Sequence, residues 1–163
     1  MRKIVIDTNA MLQMLGSKSP YHFLWKKFLN EEYVLCVSTE ILLEYEEIFR
    51  QKAADIVATM FMRTVQFSSN VVRKDPFFRL RLIKKDPDDN KFVDCAFACQ
   101  ADYIVSDDSH FRELKDVSFP KINLKTLESF DRIMLAQAKV EGFKFITHDS
   151  LIPGYNEPCV LSV

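Results

Sequence analysis

Ile4-Val5-Ile6-Asp7 and Tyr103-Ile104-Val105-Ser106-Asp107-Asp108 carry one pattern, a short apolar run closed by acid. Runs of this length suit strands buried on both faces, as in a parallel sheet covered by helices. Asp7 and Asp108 then stand at the carboxyl ends of their strands, the edge where open α/β sheets place their sites. Two further acids fall at helix starts. Glu44 lies in Thr39-Glu40-Ile41-Leu42-Leu43-Glu44-Tyr45, a helix expected just after a strand at Tyr33 to Val37, and Asp89 opens a helix at Asp88-Asp89-Asn90-Lys91-Phe92. Four carboxylates gathered on one rim would repel one another without a cation. Asp7, Glu44, Asp89 and Asp108 are therefore read together as a divalent-metal site suited to cutting a phosphodiester backbone. Taken alone, Glu44 also fits an ordinary exposed helix acid.

Working outward, strands are expected at 3–7, 33–37, 102–106 and about 121–124, with a β-rich stretch at 70–83. Helices are expected at about 10–16, 20–29, 39–52, 53–68 and 89–101, with a short helical turn at 109–114. This alternation predicts an α/β protein of three layers, α/β/α, around a central, mostly parallel sheet. Ser38 or Thr39 is the expected cap of the helix carrying Glu44, and Asp88 or Asp89 of the helix carrying Asp94. Ile41, Tyr45 and Ile48 mark the inward face of the former.

At 163 residues the chain suits one domain, and 48% apolar residues with 14 Phe supply a packed interior. Three scattered glycines are too few for a Gly-rich phosphate loop, which lowers the rank of nucleotide-cofactor enzymes. The apolar stretch at the N-terminus is three residues long and no membrane-spanning run occurs, so a cytoplasmic protein is expected. Cys36, Cys95, Cys99 and Cys159 show no framework spacing, and three of the four lie in apolar surroundings typical of reduced, buried thiols. His22, His110 and His148 lack the mutual spacing of a zinc site and are assigned ordinary packing or surface roles; His110 alone stands near the proposed pocket.

A net charge of −1 argues against tight, sequence-blind nucleic-acid binding, but the distribution is uneven. Between Arg73 and Lys85 lie six basic residues and one acid, with Phe77-Phe78 among them. In Phe78-Arg79-Leu80-Arg81-Leu82 the alternation puts both arginines on one strand face. Arg79, Arg81, Lys84 and Lys85 are the candidate phosphate contacts, with a solvated strand face as the competing reading.

The last forty residues repeat an earlier pattern. Asp131-Arg132-Ile133-Met134-Leu135-Ala136-Gln137-Ala138 follows Asp89 to Ala96, and Phe145-Ile146-Thr147-His148-Asp149 follows Ile104 to Asp108. The chain is thus divided into a unit at 1–128 and an added helix-strand segment at 129–163. Edge addition to the sheet is the expected fate of that segment, because a lone helix-strand unit cannot bury its own apolar face.

In Ile4 to Asn9, Ser38 to Tyr45, Asp86 to Phe92 and Ala101 to Asp108 the chain resembles the PIN-domain nucleases, in particular VapC-like toxins of toxin-antitoxin systems. Residues 129–163 resemble the C-terminal segment of a second member of that family. The resemblance implies Mg²⁺ or Mn²⁺ held by Asp7, Glu44, Asp89 and Asp108, with Asn9, Asp94 and Asp107 close by. It also implies endonucleolytic cleavage of single-stranded RNA, a cognate antitoxin as partner and a homodimer as an available assembly. The residues alone do not choose RNA over DNA. Two other classes are carried beside it. One is a catalytically inactive PIN-like module that binds RNA or an antitoxin. The other is a phosphatase-type domain using Asp7, which the absence of a second Asp two residues on disfavours.

Overall fold

Apolar runs of three to five residues pair side by side at the centre of the molecule. A computed structural model describes residues 1–140, 145–147 and 160–162. The strands β1 (Arg2–Ile6), β2 (Tyr33–Val37), β3 (Val71–Arg73), β4 (Tyr103–Val105) and β5 (Leu124–Lys125) form a five-stranded sheet in the order β3-β2-β1-β4-β5, every pair parallel. Ile4, Val5, Ile6, Leu35, Cys36, Val37, Ile104 and Val105 have no solvent exposure, as continuous apolar strands beneath helices require. The expected parallel α/β architecture is what the chain adopts. Chain order reverses at β1, so the crevice beyond the carboxyl ends of β1 and β4 is the switch point of the sheet.

Helices α1 (Thr8–Leu15), α2 (His22–Leu29), α3 (Thr39–Lys52), α4 (Asp55–Phe67), α5 (Asn90–Cys99) and α6 (Leu127–Val140) flank it. Ser38 caps α3, its Oγ accepting from the Ile41 amide at 3.3 Å. Ile41, Tyr45 and Phe49 form the buried stripe of α3; Phe49 replaces the expected Ile48, because steps of four keep all three on one line. At α5 the expected caps do not act. Asp89 makes no side-chain cap bond, and Asp86 instead accepts from the Asp88 amide at 3.1 Å to start a 3-10 turn at Pro87–Asp89 that leads into the helix.

Seven aromatic rings join the layers in one continuous chain of contacts. Phe130 of α6 meets Tyr33 of β2, and the series passes through Phe28 and Trp25 of α2 and Phe61 of α4 to Phe49 and Tyr45 of α3. The Tyr45 hydroxyl ends it by donating to the Ile6 carbonyl, next to Asp7. Packing at the far end of the sheet is thereby continuous with the backbone that presents the first acid.

Two expectations change. The 70–83 stretch is a strand only over Val71–Arg73. Beyond it the chain runs irregularly along α5: the Leu80 amide donates to Asp94 Oδ1 at 2.9 Å and the Ile83 amide to Asn90 Oδ1 at 3.0 Å, so buried side chains take the bonds that a neighbouring strand would have taken. Edge addition is also not the arrangement found for the tail. β6 (Phe145–Thr147) pairs in parallel with β7 (Val160–Ser162) in a separate two-stranded sheet. Leu127, Phe130 and Met134 of α6 lie in the main core, so that helix starts before residue 129 and is packed with the residues that precede it. Asp149, His148 and Cys159 lie outside the described residues. Cys36, Cys95 and Cys99 are buried free thiols. Among the described residues no helix is long and apolar enough to cross a membrane.

Candidate metal centre

Asp7 ends β1 and is 5% exposed. Its amide donates to the Val105 carbonyl at 2.9 Å, which ties the ends of β1 and β4 together. From β4, Ser106 Oγ donates to Asp7 Oδ2 at 3.1 Å and accepts from the Asp108 amide at 3.0 Å. One hydroxyl therefore sets the spacing between two of the four acids. Asp108 Oδ1 accepts from the His110 amide at 2.9 Å, capping the 3-10 helix at Ser109–Asp116. Glu44 reaches the same crevice from α3, where its Oε1 accepts from the hydroxyl of Thr8, the first residue of α1.

The charges feel one another. Burial first, then the neighbouring carboxylates of Asp89, Glu44 and Asp108, raises Asp7 from 3.8 to about 6 against the lowering effect of the Ser106 bond. Burial likewise raises Asp89 from 3.8 to about 6, with Asp86 and Asp108 adding to it and His110 opposing it. The structure thus brings Glu44, Asp89 and Asp108 each within electrostatic reach of Asp7 at the switch point.

Three residues that the sequence reading did not place among the ligands, His110, Asp86 and Lys91, belong to the same crevice. His110 Nδ1 lies 3.4 Å from Asp89 Oδ2, 3.5 Å from Asp108 Oδ1 and 3.8 Å from Asp86 Oδ2. Among the described residues Asp86, Asp89 and His110 are the group whose ligand atoms converge as a metal ion would require. The buried Asp89 Oδ2 and His110 Nδ1 find no partner outside this cluster, an arrangement that either a proton on the imidazole or a shared cation satisfies. The acidic Asp/His cluster is consistent with a divalent-metal site, and its carboxylate oxygens suit hard cations such as Mg²⁺ and Mn²⁺. The ordinary packing role expected for His110 is corrected accordingly. The signal available in the sequence was its place two residues after Asp108.

Lys91 is the third. Its side chain is 5% exposed, and its Nζ sits 2.5 Å from Glu44 Oε2 while also contacting Asp88 Oδ2. Burial works against this ammonium, yet its bonds to Asp88 and Glu44 outweigh that and raise its pKa. The i,i+3 spacing from Asp88 was legible, but the pairing with Glu44 across 47 positions was not.

The remaining candidates are spread around the centre. Asp94 is fully buried and holds the 74–86 segment, through Leu80 and through Arg79 at 3.6 Å. Asp107 Oδ1 accepts from the Leu127 amide at 3.1 Å and so fixes the start of α6. Asn9 is exposed and accepts from Lys52 Nζ at 3.4 Å, with no bond to the four acids among the described residues. Arg79 pairs with Glu40 at 2.9 Å. Arg81, at φ 54°, holds a left-handed conformation that costs a non-glycine residue about 1–2 kcal/mol. Arg79, Arg81 and Lys84 line an open groove that ends at Asp88 and Lys91, beside the acids, while Lys85 is exposed just beyond it.

Comparison with known proteins bears on the family and the fold. A family described as "PIN domain" matches residues 3–110. The VapBC2 complex of Rickettsia felis, solved bound to a DNA fragment from its promoter, contains a chain similar in structure at a TM-score of 0.54 and 12% identity, covering 76% of this chain and 98% of that one. A chain of the DNA-bound VapBC complex of Salmonella typhimurium is similar at a TM-score of 0.49 and 18% identity, covering 78% and 99%. No curated protein matches the sequence. None of these likenesses supports a second, fused family segment, since the family match ends before residue 129.

Proposed function

The chain belongs to the PIN-domain family, a family of nucleases, and from that premise we propose that it is a metal-dependent endoribonuclease acting on single-stranded RNA as the toxin of a toxin-antitoxin pair. The observation that carries the reading is the Asp86, Asp89 and His110 cluster, within electrostatic reach of Asp7 and Asp108, with the carboxyls of Asp7 and Asp89 raised to about 6 chiefly by burial.

In this reading Asp7, Asp89 and Asp108 hold Mg²⁺ or Mn²⁺, with Glu44 flanking them and His110 and Asp86 completing the wall. A bound divalent ion would supply an activated water and neutralise charge on the phosphate. The protein's own groups do the rest. Ser106 keeps Asp7 and Asp108 in register, and Thr8 fixes the orientation of Glu44. Arg79, Arg81 and Lys84, with Lys85 beyond, would hold successive phosphates of a strand entering along the groove. Asp94 is a positioning residue, since it holds the segment that carries these cations. Single-stranded RNA is the substrate that can reach such a rim with its backbone extended and its bases splayed. The antitoxin partner rests on the assemblies in which the similar chains occur, and a cytoplasmic location follows from an RNA target and its partner.

The test is to incubate single-stranded RNA, double-stranded RNA and single-stranded DNA of one sequence with the protein and Mg²⁺ or Mn²⁺. Internal cleavage of the single-stranded RNA alone is expected. Preference for DNA would overturn the substrate assignment, and binding without cleavage would replace the enzyme by a binding module.

A further inference from the structure

The two walls of the metal centre differ. On one wall Asp89 Oδ2 and His110 Nδ1 face each other at 3.4 Å, a pair that carries a positive charge only when the imidazole is protonated. On the other, both Glu44 oxygens are engaged, Oε1 by the Thr8 hydroxyl and Oε2 by the Lys91 ammonium at 2.5 Å. Lys91 is held from behind by Asp88 and is almost wholly withdrawn from solvent. A nuclease that uses two metal ions sets them about 3.5–4 Å apart, each needing free carboxylate oxygens. A second dication beside Glu44 would have to approach a buried ammonium at contact range, where like charges are costly.

We propose that the centre takes a single divalent ion, on the side where Asp86, Asp89 and His110 converge, and that the Lys91 ammonium is the resident positive charge on the Glu44 side, in the place a second ion would otherwise take. The proposal rests on the metal-site reading above and names the charge arrangement within it. Lys91 also lines the groove of Arg79, Arg81 and Lys84, so its charge lies where that groove meets the acids. A strand held in the groove would bring a phosphate to both the ion and the ammonium. In such a site Lys91 supplies the positive charge toward phosphate that a second ion would otherwise supply.

The test is Mn²⁺ stoichiometry of the full chain, read by calorimetry and by the paramagnetic resonance signal of free ion, for the wild type, Lys91→Met and Lys91→Arg. One ion per chain is expected in the wild type and in Lys91→Arg, and two in Lys91→Met. In Lys91→Met, cleavage should rise with the square of Mn²⁺ concentration, where the wild type follows the first power. Two ions in the wild type would overturn the proposal by themselves, whether or not Lys91→Met folds. So would one ion in a Lys91→Met protein whose circular dichroism is native. Because stoichiometry is read without substrate, a chain that binds one ion but cuts nothing would refute the nuclease reading and leave this one standing. A chain that binds none would refute both.

Discussion

Replacing Asp7 with Asn should stabilise the metal-free protein at neutral pH while removing its proposed activity. Asp7 rises from 3.8 to about 6 in the fold. The folded chain then binds more protons than the unfolded chain between those two values. Stability from this group is fully present below pH 3.8 and is lost as pH rises through about 6, so the ionised carboxylate at pH 8 is a burden. At about 1.4 kcal/mol for each tenfold in the proton equilibrium, that burden is about 3 kcal/mol. Asparagine keeps an oxygen able to accept from Ser106 and lacks the charge. For a chain of this size the change corresponds to a rise in Tm of about 6–12 °C. Melting in EDTA, followed by circular dichroism at pH 8 and pH 4, measures it. The variant should melt higher at pH 8, and most of the difference should vanish at pH 4. Equal melting at both pH values, or a less stable variant at pH 8, would refute a buried Asp7 carboxylate whose charge the fold opposes.

Three further outcomes test the surrounding structure. Phe130→Ala should cost about 3–5 kcal/mol in chemical denaturation, because Phe130 is fully buried against Tyr33; a loss below about 1 kcal/mol would show that α6 is not part of the core. Arg81→Gly should raise thermal stability by relieving the φ of 54° and at the same time weaken RNA binding measured by fluorescence anisotropy; unchanged affinity would remove Arg81 from the groove's function. Asp94→Ala leaves the Leu80 amide without its acceptor and should cost about 1–3 kcal/mol in stability, with weaker RNA binding but unchanged Mn²⁺ affinity by calorimetry. A large fall in Mn²⁺ affinity would instead place Asp94 among the ligands.

The centre of the sheet was legible because β1, β2 and β4 each contain a short apolar run bounded by polar residues, and β1 and β4 announced their carboxyl ends with acids. Helix α3 was legible from Ser38 through Lys52 because cap, stripe and basic last turn agree. The 78–82 alternation misled because periodicity registers which side chains alternate, not where the backbone bonds go. Those bonds go to Asp94 and Asn90, whose burial depends on the packing of α5. Lys91 and His110 were not legible for a related reason. A lysine after three acids reads as a solvated charge, and only the arrival of Glu44 from α3 makes its burial tolerable. His110 gains its role from Asp86 and Asp89, more than twenty positions earlier. In the tail the repeat of Asp and Ala at 131–138 reflects the periodicity of a core helix, with Phe130, Met134 and Leu135 turned inward, and that periodicity by itself does not establish a second copy of the domain.

The most direct measurement is cleavage of an end-labelled single-stranded RNA by the wild type and by Asp7→Asn purified in parallel, each with Mn²⁺ and with EDTA. Internal fragments from the wild type with Mn²⁺, and from neither protein otherwise, are the predicted result. Fragments of equal yield from Asp7→Asn, or from the wild type in EDTA, would contradict a metal centre built on Asp7.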